Sequence, residues 1–192
     1  MKKEMLLHVC CGPCATSTIK KVQSEGYLIT LFYYNPNIHP KDEYEKRLKE
    51  AKKLARELGV KIITPEYRPL EYFDAIKVDS RLFPDLIYKK EGGFDPPKIS
   101  IRCSNCWRLR LQETAQKARE LKIKEIGTTL RISPYQDQGS LLLVAESIAA
   151  DYGLRFYNEN LVDKFSESIQ ISKERKMYRQ KYCGCLFSKH YI

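Results

Sequence analysis

Apolar residues recur along the chain in two alternating patterns. Short runs of apolar and β-branched residues predict strands, whereas longer stretches with apolar positions every three or four residues, often ended by a glycine, predict helices. The predicted strands span residues 5–9, 28–34, 60–64, 125–129 and 155–157. The predicted helices span residues 16–24, 40–58, 67–79, 105–121, 138–152 and 172–182.

Strands that alternate with helices favour one α/β domain over residues 1–192, with a mostly parallel sheet flanked by helices. Prolines and glycines predict an inserted loop near residues 80–100. A basic C-terminal helix and a Cys-Gly-Cys segment fill residues 172–192. In parallel sheets, sites form beyond the carboxyl ends of the strands, and candidate chemistry is therefore sought there.

Three cysteines, Cys10, Cys11 and Cys14, follow the first predicted strand within one short loop. Pro13 suits the first turn of the helix that comes next. The free N–H groups and the dipole of a helix N-terminus stabilise anions, including thiolates. The loop therefore predicts a thiolate site at the carboxyl edge of the sheet.

Two further cysteine pairs lie later in the chain. Cys103 and Cys106 are spaced to share one face at the start of a predicted helix, and Cys183 and Cys185 are separated by a single glycine. Cys103 and Cys106 would form a four-thiolate set for an iron–sulfur cluster together with Cys10 and Cys11. Zinc and iron both accept tetrahedral thiolates, so both metals fit this pattern.

The net charge is +10, and two segments hold the excess. Residues 98–124 have eight Lys/Arg against two Asp/Glu, and residues 172–192 have six against one. Because both segments also carry a cysteine pair, the pattern favours a phosphate-rich substrate at a metal site. The candidate phosphate-binding residues are Lys173, Arg175, Lys176 and Arg179.

The chain contains no apolar run near the roughly 20 residues that cross a membrane. The apolar run at residues 5–7 is shorter than the core of a signal peptide. The chain has seven cysteines, and an odd number argues against a closed framework of disulfides. Free thiols suit a reducing compartment. We therefore predict a cytoplasmic protein with no membrane partner.

Five segments together resemble the QueH type of epoxyqueuosine reductase. They combine the Cys-Cys-Gly-Pro-Cys loop, a Phe-Tyr-Tyr-Asn-Pro-Asn strand end, the Cys-x-x-Cys helix, a Thr-Thr-Leu-Arg-Ile-Ser-Pro-Tyr turn and the Cys-Gly-Cys segment. These segments are residues 7–15, 32–38, 102–110, 128–135 and 178–185. The ordered set spans nearly the whole chain and is far more specific than any single motif.

This resemblance implies the cobalamin-independent reduction of the epoxide of epoxyqueuosine in tRNA to the alkene of queuosine, with release of water. It implies a [4Fe–4S] cluster, an external electron donor and a fold similar to the PP-loop and HUP nucleotide-binding folds. Cysteines occupy the position of the phosphate-binding turn in the ATP-using relatives, and we therefore expect no use of ATP.

Removal of an epoxide oxygen takes two electrons and two protons, so a second centre is useful beside a one-electron cluster. Cys183 and Cys185 suit this step, either as ligands of a second iron or zinc ion or as a dithiol that closes to a disulfide. Tyr135 and Asp137 are the candidate proton donors.

Two rival functions remain open from the sequence. A zinc-stabilised RNA-binding module without catalysis would explain the basic segments and the Cys-x-x-Cys pair. A thiol oxidoreductase that uses only Cys183 and Cys185 would leave the other thiols without a role.

Overall fold

The computed structural model describes residues 3–77 and 99–189. Its sheet has five strands in the order β3-β2-β1-β4-β5, and every neighbouring pair is parallel. The predicted α/β class with a parallel sheet is thus confirmed. The strands are β1 (Lys3–His8), β2 (Tyr27–Phe32), β3 (Lys61–Ile63), β4 (Glu125–Thr128) and β5 (Arg155–Phe156).

Helices connect the strands, because parallel neighbours need crossover connections. Within the described residues, two short 3-10 helices, Thr129–Ile132 and Val162–Lys164, supplement them. The α-helices are α1 (Gly12–Ser24), α2 (Lys41–Glu57), α3 (Pro69–Ala75), α4 (Ile99–Glu120), α5 (Gln138–Asp151), α6 (Phe165–Glu174) and α7 (Leu186–Lys189).

Strand β1 lies at the centre of the sheet, between β2 and β4. The chain adds strands on one side of β1 and then on the other, in the order of the doubly wound nucleotide-binding folds. The carboxyl ends of β1 and β4 therefore flank the point where the strand order reverses. A ligand crevice is expected at that point of an open α/β sheet.

The apolar core explains why the sequence pattern located most elements correctly. Met5, Leu6 and Leu7 in β1 are buried. On α4, the predicted inward face is confirmed, because its four members are all buried. They are Trp107, Leu111, Ala115 and Ala118.

The predicted basic helix over residues 172–182 is not observed. Helix α6 instead ends at Glu174, and Lys176 adopts a positive φ of 50° that no α-helix contains. The buried positions of α6 are serines, Ser168 and Ser172, and hydrophobic periodicity does not detect such a face.

Helix α4 begins at Ile99, earlier than the sequence pattern predicted. Cys103 and Cys106 therefore lie inside a helix rather than at its N-terminus. The predicted loop near residues 80–100 lies outside the described residues up to residue 98. No α-helix in the described ranges combines the length and apolar character needed to cross a bilayer.

Candidate functional site

The loop after β1 places three cysteines at the point where the strand order reverses. Cys11 is the N-cap of α1, and its Sγ accepts a hydrogen bond of 3.3 Å from the backbone N–H of Cys14. The backbone N–H of Cys10 donates to Oγ1 of Thr129 at 3.2 Å. Because Thr129 directly follows β4, this bond joins the carboxyl ends of the two central strands.

The Sγ atoms of Cys10, Cys11 and Cys14 all lie within 4.8 Å of one another, and we call them the cysteine triad. The Sγ atoms of Cys10 and Cys11 are 3.8 Å apart. Tetrahedral thiolate coordination at metal–sulfur bonds of about 2.3 Å places two sulfurs about 3.8 Å apart. The donor set and its spacing therefore fit thiolate ligation of a metal.

Hydrogen bonds and burial shift the pKa values of the triad thiols in opposite directions. Hydrogen bonding with Cys11 and with Cys14 holds the pKa of the Cys10 thiol well below its usual range. Burial raises the pKa of Cys11, and the hydrogen bond to Cys10 raises that of Cys14. Binding of a metal to the triad would release thiol protons, because the thiolate is the ligand.

Gln180 closes the triad from the C-terminal part of the chain. Its Nε2 donates to Sγ of Cys11 at 2.9 Å and to Sγ of Cys14 at 3.4 Å. Its Oε1 is buried and has no hydrogen-bond partner among the described residues. Hydrogen bonds to ligand sulfurs orient them and shift the reduction potential of a bound centre.

Two cavities meet beside the triad. The triad cavity, of about 500 Å³, is lined by Cys10, Cys14 and Gln180 among others. The flanking cavity, of about 480 Å³, is lined by Cys103 and Cys185 among others. Both cavities share four lining residues, which are Tyr135, Gln136, Cys183 and Ser188.

The two sulfurs of the Cys-Gly-Cys segment have different surroundings. Cys183 is exposed and its Sγ accepts a bond of 3.6 Å from Nε2 of Gln136. Cys185 is buried, and its Sγ contacts Oγ of Ser188 at 3.4 Å. Oε1 of Gln136 accepts from Nε1 of Trp107 at 2.9 Å, which fixes the amide and directs its donor to Cys183.

The Cys-x-x-Cys pair on α4 shares its surroundings with Cys185. Cys106 and Cys185 belong to one buried apolar cluster, whereas Cys103 is half-buried at the flanking cavity. Burial raises the pKa of Cys106 to about 12. Among the described residues, neither Cys103 nor Cys106 joins the triad within 4.8 Å. Ligation of one cluster by Cys10, Cys11, Cys103 and Cys106 therefore stays a prediction.

The two candidate proton donors both line a cavity but differ in their hydrogen bonding. Tyr135 is 84% exposed and lines both cavities. Asp137 caps α5 by accepting bonds from the backbone N–H and the hydroxyl of Ser140, at 3.1 and 2.7 Å. These bonds lower the pKa of Asp137, so its carboxylate is ionised near neutral pH.

The predicted phosphate-binding residues are all exposed, at the end of α6 and in the irregular stretch that follows it. Arg175 already pairs with Glu57 at 2.8 Å. The four residues are Lys173, Arg175, Lys176 and Arg179. On α4, by contrast, Arg102 and Arg110 are buried, so not all the positive charge of residues 98–124 is available to a polyanion.

Sequence reasoning missed a buried ion pair on α2. Glu43 and Arg47 lie one turn apart, and Nε of Arg47 donates to Oε1 of Glu43 at 2.7 Å. Removal of one member of such a pair costs roughly 3–5 kcal/mol of folding free energy. An i,i+4 acid–base pair is a common surface pattern, so the sequence offered no signal for burial.

Gln136 and Gln180 were also missed as site residues. Gln180 lies in the Tyr-Arg-Gln-Lys-Tyr stretch before the Cys-Gly-Cys segment, and that position was the only signal for it.

The family comparison covers almost the whole chain. A family model described as "Epoxyqueuosine reductase QueH" matches residues 5–191. A curated "Epoxyqueuosine reductase QueH" from Dehalococcoides mccartyi is 33% identical over 191 residues, covering 99% of this chain and 94% of that protein. One of the same name from Thermotoga maritima is 34% identical over 189 residues, covering 96% and 89%.

A longer relative and a solved structure complete the comparisons. The Helicobacter pylori "Epoxyqueuosine reductase QueH" is 35% identical over 193 residues, which cover 96% of this chain and 49% of that protein. A predicted tRNA methyltransferase subunit from Methanocaldococcus jannaschii is 14% identical, with a TM-score of 0.49 over 88% of this chain and 76% of that one.

Proposed function

The chain belongs to the epoxyqueuosine reductase QueH family, and from this premise we propose that it reduces the epoxide of epoxyqueuosine in tRNA to queuosine. The observation that carries the proposal is the position of Cys183. Cys183 lines both the triad cavity and the flanking cavity, and the flanking cavity is also lined by Cys103 and Cys185. A substrate in either cavity would meet this thiol.

The net reaction takes two electrons and two protons and yields an alkene and water. We propose that Cys10, Cys11, Cys103 and Cys106 hold a [4Fe–4S] cluster. When bound, such a cluster supplies electrons one at a time. The lowered pKa of Cys10 and the spacing of the triad support thiolate ligation at this edge of the sheet.

Cys183 and Cys185 contribute the second centre in this proposal, as ligands of an iron or zinc ion or as a dithiol. The protein places these two sulfurs in different surroundings. Gln136 hydrogen-bonds the exposed Sγ of Cys183, while Cys185 is kept from solvent in the apolar cluster. Gln136 thereby orients Cys183 at the wall between the cavities.

Tyr135 is the proposed proton donor to the leaving oxygen, because its side chain is accessible from both cavities. Asp137 is the second proposed participant at the flanking cavity. Since its carboxylate is ionised, it accepts a proton or a hydrogen bond before it can donate one.

The proposed partner is tRNA that carries epoxyqueuosine, bound through its phosphates. Lys173, Lys176 and Arg179 are exposed, and Lys181 lines the triad cavity close to them in sequence. Electrostatic attraction to the backbone would bring the modified nucleoside to the cavities. An external electron donor completes the reaction, and the thiol-rich site favours a reducing cytoplasm.

The test is conversion of the nucleoside itself. Anaerobically prepared protein is incubated with tRNA that carries epoxyqueuosine and a strong chemical reductant, and digested nucleosides are analysed by mass spectrometry. We expect loss of one oxygen atom from the modified base. A colourless zinc protein that binds tRNA without this conversion would support the RNA-binding module instead.

A further inference from the structure

The stretch from Met177 to Cys185 has no regular secondary structure and contacts residues of α2. Such a stretch has no ladder of backbone hydrogen bonds to hold it, and its backbone groups need other partners. Several of those partners come from α2 and from the loop before it. Chief among them is the side chain of Arg47.

Arg47 is 1% exposed and uses three of its nitrogens on identified partners. Its Nη1 donates to the backbone carbonyl of Cys183 at 3.0 Å, and its Nη2 donates to that of Tyr182 at 3.1 Å. The Tyr182 ring lies 5.1 Å from the guanidinium carbon. The fork of Arg47 therefore holds two successive residues of the segment at once.

Glu43 neutralises this buried cation from one turn earlier on the helix. Its Oε1 accepts from Nε of Arg47 at 2.7 Å, and its Oε2 accepts from the hydroxyl of Tyr178 at 2.5 Å. Tyr178 belongs to the same segment, so Glu43 and Arg47 together bind the segment at two separate places. A lysine would supply the charge but not the planar fork.

Gly184 brings the segment unusually close to the rest of the chain. Its φ is +130°, and an added Cβ would lie 3.0 Å from Cγ1 of Ile38 and 3.2 Å from Nη1 of Arg47. Its carbonyl accepts from the backbone N–H of His39 at 2.8 Å. Both neighbours of Cys183 in the chain are thus tied to α2 or to the loop before it.

We propose that Arg47 is a positioning residue that fixes Cys183 at the wall between the two cavities. This proposal rests on the proposed function, and it assigns Arg47 no contact with the reacting atoms. Without the two hydrogen bonds from Arg47, the segment is no longer held in the position that brings Cys183 to Gln136. Misplacement of a reacting group by about 1 Å can cost about 100-fold in rate.

Two variants separate positioning from folding. Arg47→Met removes the fork but leaves Glu43 buried without a cation, so this variant is expected to lose stability. Glu43→Gln combined with Arg47→Met removes the stranded charge and recovers much of the thermal stability. Arg56→Met, at an exposed arginine of the same helix, is the matched control.

Steady-state kinetics distinguish an effect on turnover from an effect on tRNA binding. Both variants that lack Arg47 should lower kcat by roughly 10- to 100-fold while KM for tRNA and the iron content stay within about twofold of wild type. Recovery of kcat along with stability in the double variant would show that Arg47 is only structural and would overturn the proposal. Near-normal kcat in Arg47→Met would overturn it directly.

Hydrogen exchange gives a readout that does not depend on the reaction. The amide of His39, which donates to Gly184, should exchange faster in both variants that lack Arg47 and at the wild-type rate in Arg56→Met. Unchanged exchange would refute the contact, whatever the activity. Absence of epoxide reduction by the wild-type protein would refute the proposed function alone and leave this measurement decisive.

Discussion

The cysteine triad and the Cys-Gly-Cys segment are positioned by different kinds of structure. The triad follows the central strand of the sheet, caps a helix and is buried by the core. The segment around Cys183 lies outside regular structure and depends on side chains such as Arg47 and Gln136. Changes to the first region are thus expected to remove the cluster, and changes to the second to lower turnover while the cluster remains.

Loss of a cluster ligand gives the largest effect. Cys11→Ala and Cys106→Ala should each remove most of the iron and sulfide and abolish epoxide reduction. Iron and sulfide assays on anaerobically prepared protein measure this directly. Cys14→Ala is the informative neighbour, because Cys14 completes the triad but not the proposed ligand set. Iron retained in Cys106→Ala but lost in Cys14→Ala would replace Cys106 by Cys14 as ligand.

Loss of either sulfur in the C-terminal segment should separate turnover from metal content of the cluster. Cys183→Ser and Cys185→Ser are expected to keep the fold, the cluster and tRNA binding but to lose epoxide reduction, as followed by nucleoside mass spectrometry. Loss of one further metal equivalent would favour a bound ion, whereas unchanged metal would favour a dithiol. Near-normal turnover in both variants would contradict a chemical role for the pair.

The Tyr135 hydroxyl can be separated from the ring that carries it. Tyr135→Phe keeps the ring and its edge-on contact with Phe165, whose centroid lies 5.9 Å away, but removes the proton. If Tyr135 donates the proton, kcat should fall by about 10²–10⁴-fold. Turnover that survives in Tyr135→Phe but not in Tyr135→Ala would assign the ring to packing against the substrate instead.

Gly184→Ala tests the close approach of the segment with a single methyl group. The added Cβ meets Ile38 at 3.0 Å on a positive-φ backbone, so the segment must shift. We expect roughly a tenfold loss of kcat with unchanged iron content. Gly153→Ala, also on a positive-φ backbone but with no atom of the described residues within 4 Å of the added Cβ, should leave kcat unchanged. Equal kinetics in the two variants would speak against a tight fit at Gly184.

The smallest effect at physiological salt is expected from the exposed cations. Replacement of Lys173, Arg175, Lys176 and Arg179 by Gln should weaken tRNA binding and leave the iron content intact. The slope of log affinity against log salt should flatten by about three, at about one per phosphate contact, because Arg175 is paired with Glu57. Fluorescence titration at several salt concentrations measures it, and an unchanged slope would exclude this surface.

Much of the fold followed from local patterns in the sequence. The run Met5 to Leu7 was recognised because it is a short continuous apolar run, and the face Trp107 to Ala118 because its buried residues recur every three or four positions. Helix α6 was misplaced because its inner face is built from Ser168 and Ser172, which read as surface residues.

The candidate site was predicted in part for a similar reason. The cysteines were conspicuous by type and spacing, and the strand-end loop placed the triad where sheet topology puts ligand sites. The residues that hold these thiols, Arg47, Gln136 and Gln180, have ordinary polar side chains. Their roles arise from contacts between distant parts of the chain, which a single sequence does not reveal.

The contact between Gln180 and Cys11 spans 169 positions of the chain, which has a consequence for biogenesis. During synthesis the triad emerges well before Gln180, the residue that covers it. We therefore expect the thiols to remain open to a metal donor until the C-terminal stretch docks. Cofactor delivery would then precede closure of the site, and a protein that closes first would load its metal slowly.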